Sequence, residues 1–177
     1  MITIIFEAHS TTLDNENNLS SGHNDVALSE LGKKQSHELG ARYADKNFDA
    51  IFCSDLQRSY KTAEIAFADR GFKIIKDKRL RECDYGDYTQ KPSDFVHDEK
   101  PKRISAPFSN GESYEQAAER MKSFLADLKR DYEGKKVMII GHRATQYGLE
   151  YWIKGVSLLD AVVAPWKWQP GWKYRYN

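Results

Sequence analysis

Two short strand-like runs, residues 2–6 and 137–140, constrain this chain most, because each is followed closely by a histidine. The first leads through Glu7 and Ala8 to His9, and the second through Gly141 to His142. Neither run is long enough to be a buried helix, so each reads as a strand. Between and after them the chain alternates strand-like and helix-like segments, which predicts an α/β fold. Strands are expected at 2–6, 50–53, 72–76 and 137–141, and helices at 29–45, 55–69, 112–132 and 144–153. Ser29 is the expected N-cap of the first helix, and Leu31, Leu39 and Tyr43 its apolar stripe. The expected architecture is a three-layer α/β/α sandwich around a mostly parallel central sheet, with one edge strand antiparallel. Open sheets of this kind bind ligands just past the carboxyl ends of their strands. Two imidazoles delivered to that edge face one pocket, and Arg58 opens a helix at the same edge.

The rest of the chain is less regular. Residues 161–164 look like a strand, 169–171 form a turn signal, and 172–176 alternate like an edge strand. Trp166, Trp168 and Trp172 are either a ligand surface, a dimer patch, or packing for a terminal hairpin on the sheet edge. The last reading is preferred, since aromatic residues favour strands. Residues 87–110 contain Pro92, Pro101 and Pro107, carry charge without periodicity, and are read as a loop covering the site.

A chain of 177 residues is most simply one domain, here 1–177. A net charge of +1 argues against a nucleic-acid partner, which needs a concentrated basic surface. No apolar run approaches the roughly 20 residues of a membrane helix. The first residues lack the basic start and cleavage site of a secretory signal, so a cytoplasmic location is expected. Cys53 and Cys83 are then free thiols. Cys53 followed by Arg58 does not make a cysteine phosphatase. The spacing is too short for that chemistry's loop, and Asp55 between them would repel phosphate.

The motifs extend beyond the histidines. His9-Ser10-Thr11-Thr12-Leu13-Asp14-Asn15 is followed by Gly22-His23-Asn24-Asp25-Val26-Ala27-Leu28-Ser29-Glu30-Leu31-Gly32. Then come Ser54-Asp55-Leu56-Gln57-Arg58 with Thr62-Ala63, Leu80-Arg81-Glu82 with Tyr85-Gly86-Asp87, Gly111-Glu112-Ser113 and Gly141-His142. This ordered set resembles the histidine phosphatase superfamily, in its phosphoglycerate-mutase-like branch, over roughly residues 1–155. The resemblance implies phosphoryl transfer through a phosphohistidine on His9. No glycine-rich nucleotide loop or paired metal-ligand spacing appears, so no metal or cofactor is expected.

The residue chemistry agrees. A neutral imidazole nitrogen attacks phosphorus and splits one displacement into two easier ones. Arg58 offers a planar, permanently charged fork for phosphate, and Asn15 an amide donor. His142 donates to the phosphoryl oxygens. Glu82 is the expected general acid for the leaving oxygen and then the base for water. His23 is placed either at the pocket mouth or in solvent, His37 on a surface, and His97 on a stretch open to substrate. Lys91, Lys100, Lys102 and Arg103 suit an acidic second group of the substrate, or are simply solvated.

Two positions depart from the family pattern, in which the opening reads Arg-His-Gly. Here it is Ala8-His9-Ser10. Alanine supplies neither charge nor donor, so one phosphate ligand is missing. Arg143, where the family commonly has a small residue, is the expected replacement; otherwise it points to solvent or pairs with Glu7. Ser10 either crowds the phosphate or adds a hydroxyl to it. The function expected is metal-independent hydrolysis of a small phosphorylated metabolite by a monomer or homodimer. A phosphoglycerate-type mutase and, because of Ala8, a non-catalytic phospho-ligand-binding protein are the alternatives.

Overall fold

The computed structural model describes residues 1–177. In chain order the elements are β1 (Ile2–Ala8), α1 (Leu13–Glu16), α2 (Glu30–Arg42), β2 (Ala50–Cys53), α3 (Gln57–Phe67), β3 (Ile74–Lys76), α4 (Ser93–Glu99), α5 (Tyr114–Asp131), β4 (Lys136–Gly141), α6 (Arg143–Lys154), α7 (Leu158–Val163) and β5 (Trp172–Tyr176). The sheet order is β3-β2-β4-β1-β5. β1, β2, β3 and β4 pair in parallel, and β5 joins the free edge of β1 antiparallel.

The central strand β4 is apolar on both faces because helices cover both. Val137 and Ile139 point to one side, where they meet Ile4, Phe6, Phe124 and Leu149 under α5 and α6. Met138 and Ile140 point to the other, among Leu39, Ile51, Ala63 and Phe67 of the α2–α3 layer. The expected three layers are therefore present. No helix is long and apolar enough to cross a membrane.

Caps set the helix starts. Ser29 accepts the Gly32 N–H at 3.1 Å, and Ser113 accepts that of Gln116 at 3.2 Å. A side-chain oxygen at this position satisfies a donor the helix itself leaves open. Gly32 has a second task. A Cβ there would come within 1.9 Å of the Thr11 carbonyl oxygen, so only glycine lets α2 lie against the loop that follows His9.

Two segments differ from expectation. Residues 161–164 belong largely to α7, not to a strand. Leu158, Ala161 and Val162 recur at helical spacing and enter a second core with Tyr85, Phe108 and Tyr147, and Ser157 caps the start. The tail is thus no hairpin; only β5 is a strand. Residues 87–110 contain α4, which the sequence hides because a single residue, Val96, carries its burial. Backbone bonds tie this segment to the loop after α1: Ser20 N–H to the Lys91 carbonyl at 3.0 Å, and Ser93 N–H to that of Asn18 at 2.8 Å.

Candidate active site

Parallel pairing of β1 with β4 sets Ala8 beside Gly141, so the next residues leave the sheet side by side. The His9 N–H donates to the Gly141 carbonyl at 3.0 Å. The His9 and His142 rings follow, with centroids 5.0 Å apart. His9 Nδ1 lies 2.8 Å from the Ser10 carbonyl oxygen. A carbonyl only accepts, so Nδ1 carries the proton and Nε2 keeps a free lone pair. Burial, and then the charge of Arg58, push the His9 pKa down to about 3. The ring is neutral at neutral pH.

His142 is fixed by Ser54 at the end of β2. Its Nε2 lies 2.7 Å from Ser54 Oγ, which also accepts the Leu56 N–H at 3.3 Å. The buried Ser54 hydroxyl has no other acceptor for its proton, so its proton is assigned to Nε2, which puts the ring's own hydrogen on Nδ1. That Nδ1 is buried and has no partner. A buried donor without an acceptor is costly, so its place beside His9 marks where an anion's oxygen belongs. Burial and the nearby Arg58 hold the His142 pKa well below normal.

Arg58 sits in the first turn of α3 and is 2% exposed. Its Nη1 donates to the Asn24 carbonyl at 2.9 Å and its Nη2 to that of Gly22 at 2.7 Å. No carboxylate pairs with it: Asp55 is taken by Arg81 and Glu64 by Lys61 and Lys76. Glu82, Asp25 and Asp14 act on it only at longer range, so a buried guanidinium with no bonded carboxylate is open to an anion. Asn15 lines the same cavity. Its Oδ1 accepts the Thr12 N–H at 3.0 Å, which leaves the amide N–H groups uncommitted.

Glu82 lies at the start of α6. Its Oε1 accepts the Cys83 and Ala144 N–H groups at 2.8 and 3.1 Å, and its Oε2 accepts the Arg143 N–H at 3.1 Å. Two side chains hold its carbonyl: His23 Nε2 at 2.8 Å and Arg120 Nη2 at 2.8 Å. Arg120 also bonds the carbonyls of Arg79 and Arg81, fixing the whole turn. Neither Arg120, Ser54 nor this task of His23 is visible in the sequence, because each contact spans dozens of residues. The one local signal of Arg120 is Glu112, in the motif just before α5, whose carboxylate it bonds at 3.0 Å.

His9, Asn15, Arg58, Glu82 and His142 converge on one cavity of about 530 Å³. Its outer wall includes Ser93, Asp94, His97 and Lys100 of the 87–110 segment. Trp166 also lines it, so this tryptophan is not only edge packing, whereas Trp172 does pack on Phe6, with ring centroids 5.7 Å apart. Ser10 is not brought to this cavity. Its hydroxyl accepts from Ser36 at 2.9 Å and its N–H donates to Thr62 at 3.0 Å, which commits it to the α2–α3 side. Beside Ala8 lies a second hollow of about 280 Å³, flanked by Trp166. Arg143 contributes its backbone N–H to the cluster through Glu82. Its guanidinium is stacked with Tyr147 and Trp166, and Glu7 is bonded to Arg42 and Tyr43 instead. The rings hold the side chain at the wall of the cavity that Ala8 and His9 also line.

The histidine titrations have a consequence for stability. Folded, His9 takes a proton only near pH 3; unfolded, it does so near 6.5. Between these values the unfolded chain binds more protons, so stability is full above about 6.5 and falls as pH drops. His142 adds to the same trend. His9 alone contributes about 1.4 kcal/mol per pH unit in that window. Thermal unfolding of the wild type should shift down by several degrees from pH 7 to 5, and His9→Asn should flatten that slope. Identical slopes would contradict the buried neutral imidazole.

The family model for the histidine phosphatase superfamily (branch 1) matches residues 4–161. The chain is 30% identical over 155 residues to "Uncharacterized phosphatase PhoE" of Bacillus subtilis (strain 168), covering 88% of this chain and 79% of that one. It is 30% identical over 169 residues to "Phosphoserine phosphatase 1" of Hydrogenobacter thermophilus, covering 89% and 79%. Among solved structures it superposes on Bacillus stearothermophilus YhfR with a TM-score of 0.83 at 26% identity, covering 96% of this chain and 88% of that one.

Proposed function

The chain belongs to the histidine phosphatase superfamily, and on that footing we propose that it hydrolyses a small phosphomonoester through a phosphorylated His9. The observation that supports this most is the free Nε2 of His9, set beside the unpaired Arg58 and the unpartnered Nδ1 of His142. In the first step Nε2 attacks phosphorus and the ester P–O bond breaks. Arg58, Asn15 and His142 hold the equatorial oxygens as charge develops, where water is largely excluded. Glu82 protonates the departing oxygen. Of its two oxygens, Oε2 accepts a single N–H and keeps a lone pair open for that proton. In the second step water attacks phosphorus as the Glu82 carboxylate takes its proton, the P–N bond breaks, and His9 leaves neutral with phosphate released.

Every charge in this scheme comes from side chains, so no metal is called for. The cavity is of ordinary size for a small ligand. Turnover of an aryl phosphate in excess chelator tests the scheme, with full activity expected. Activity that disappears and returns with a divalent cation would remove it. Phosphate binding with no turnover of any ester would favour the ligand-binding alternative that Ala8 invites.

A further inference from the structure

Arg143 is a cation with no carboxylate bonded to it; Asp160, which lines the hollow beside it, accepts the Ser157 hydroxyl at 2.6 Å. Its guanidinium lies 4.9 Å from the Tyr147 ring centre and 5.3 Å from that of Trp166. Both rings pack on further aromatic rings, Tyr147 in the core and Trp166 at the surface, where it is 43% exposed. Tyr147 packs edge-on against Tyr114 at 5.6 Å. Trp166 stacks on Trp172 at 6.3 Å, and Trp172 rests on Phe6 of the core. The one hydrogen bond of the Arg143 guanidinium goes to the neutral Oε1 of Gln146, at 3.2 Å. Glu150, in the adjoining hollow that Arg143 also lines, is engaged by Lys154 at 2.9 Å and the Tyr174 hydroxyl at 2.6 Å.

Ring contacts of this kind attract the cation through its charge and leave its edge N–H donors free. A guanidinium already fixed loses little further freedom on binding a ligand. Arg143 lines the cavity that holds His9. So does Lys100, just after α4, which has no carboxylate partner, whereas its neighbours Lys102 and Arg103 share Glu99. The acids of this cavity are Glu82, whose oxygens are taken by backbone N–H groups, and the exposed Asp94 on α4. Arg58 is bonded to backbone carbonyls deep in this cavity, while the rings hold the Arg143 charge at its wall, open to a second anion.

We propose that Arg143, clamped between Tyr147 and Trp166, is a specificity residue that binds a second anionic group of the substrate, a carboxylate or a second phosphate, at the end remote from the phosphoryl transferred to His9. Trp166 lies beyond residues 4–161, so half of the clamp comes from outside the segment matched to the family. The inference rests on the phosphomonoesterase reading, and its test separates the two.

Three esters of one length serve: propyl phosphate, the phosphate ester of hydroxypropanoic acid, and propanediol bisphosphate. The wild type should prefer at least one of the two doubly anionic esters over propyl phosphate by about tenfold or more in kcat/KM, the scale of one charged hydrogen bond. The larger ratio identifies carboxylate or phosphate. Arg143→Met keeps an apolar stem between the rings and should collapse that ratio towards unity. Trp166→Ala should lower it by a smaller factor. Equal kcat/KM for all three esters in the wild type would overturn the proposal. So would an Arg143→Met loss that is the same for every ester, which would assign the guanidinium to the transferred phosphoryl. Binding of the same esters to His9→Ala protein, followed by indole fluorescence, needs no turnover. A preference there with an inert wild type would support the subsite and reject the esterase reading. No preference in binding or turnover would reject the subsite.

Discussion

His9→Ala protein should turn over aryl phosphates at least about a thousandfold more slowly than the wild type, and should carry no phosphoryl label. Loss of a covalent nucleophile removes the two-step path altogether, leaving only the binding and electrostatic contributions of the site. The structure makes the prediction specific to one nitrogen. His9 Nδ1 is committed to the Ser10 carbonyl, and His142 Nε2 to Ser54. His142 Nδ1 carries its hydrogen under that bonding. Of the two facing rings, His9 is the one whose Nε2 has a lone pair to offer. Its depressed proton affinity keeps that lone pair available well below neutral pH. Rapid quenching of wild-type protein with a labelled phosphomonoester should trap an acid-labile adduct stoichiometric with protein. An adduct of equal amount in His9→Ala would place the nucleophile elsewhere.

The sequence carries the sheet, its two histidines and Arg58 because these depend on local pattern. Val137 to Ile140 must be apolar throughout for a strand buried on both faces, and glycine and histidine after it end the strand at the ligand edge. What the pattern does not carry is the set of contacts that cross the fold. His23 and Arg120 reach the carbonyl of Glu82 from opposite sides, and no spacing along the chain reports that meeting. Ser10 reads as a pocket residue from its neighbours, yet Ser36 and Thr62 claim its hydroxyl and its N–H. Arg143 reads as a free cation beside His142, yet its direction is decided by Trp166, which enters from the tail. The tail itself was misleading for a simple reason. Two adjacent valines suggest a strand, while Leu158, Ala161 and Val162 share a helical face.

Glu82→Gln should divide the reaction into its two halves. An alkyl leaving group needs a proton as its P–O bond breaks, and general acid catalysis of that kind is worth about a hundred- to ten-thousandfold. An aryl leaving group hardly needs one. The first-turnover rate should therefore fall by that factor with propyl phosphate and by far less with an aryl phosphate. The second half still lacks its base, so phosphohistidine should accumulate with the aryl ester as a burst of phenol followed by slow turnover. Stability must fall as well. Both carboxylate oxygens of Glu82 accept backbone N–H groups, so an amide in either orientation turns an NH₂ against at least one of the Cys83, Arg143 or Ala144 donors. Leaving a buried donor unpaired costs about 1–3 kcal/mol. That loss affects both esters alike, which is why the alkyl-to-aryl ratio, and not either rate alone, reports the proton. Equal first-turnover losses for the two esters would mean that Glu82 only braces the start of α6, and that another group protonates the departing oxygen.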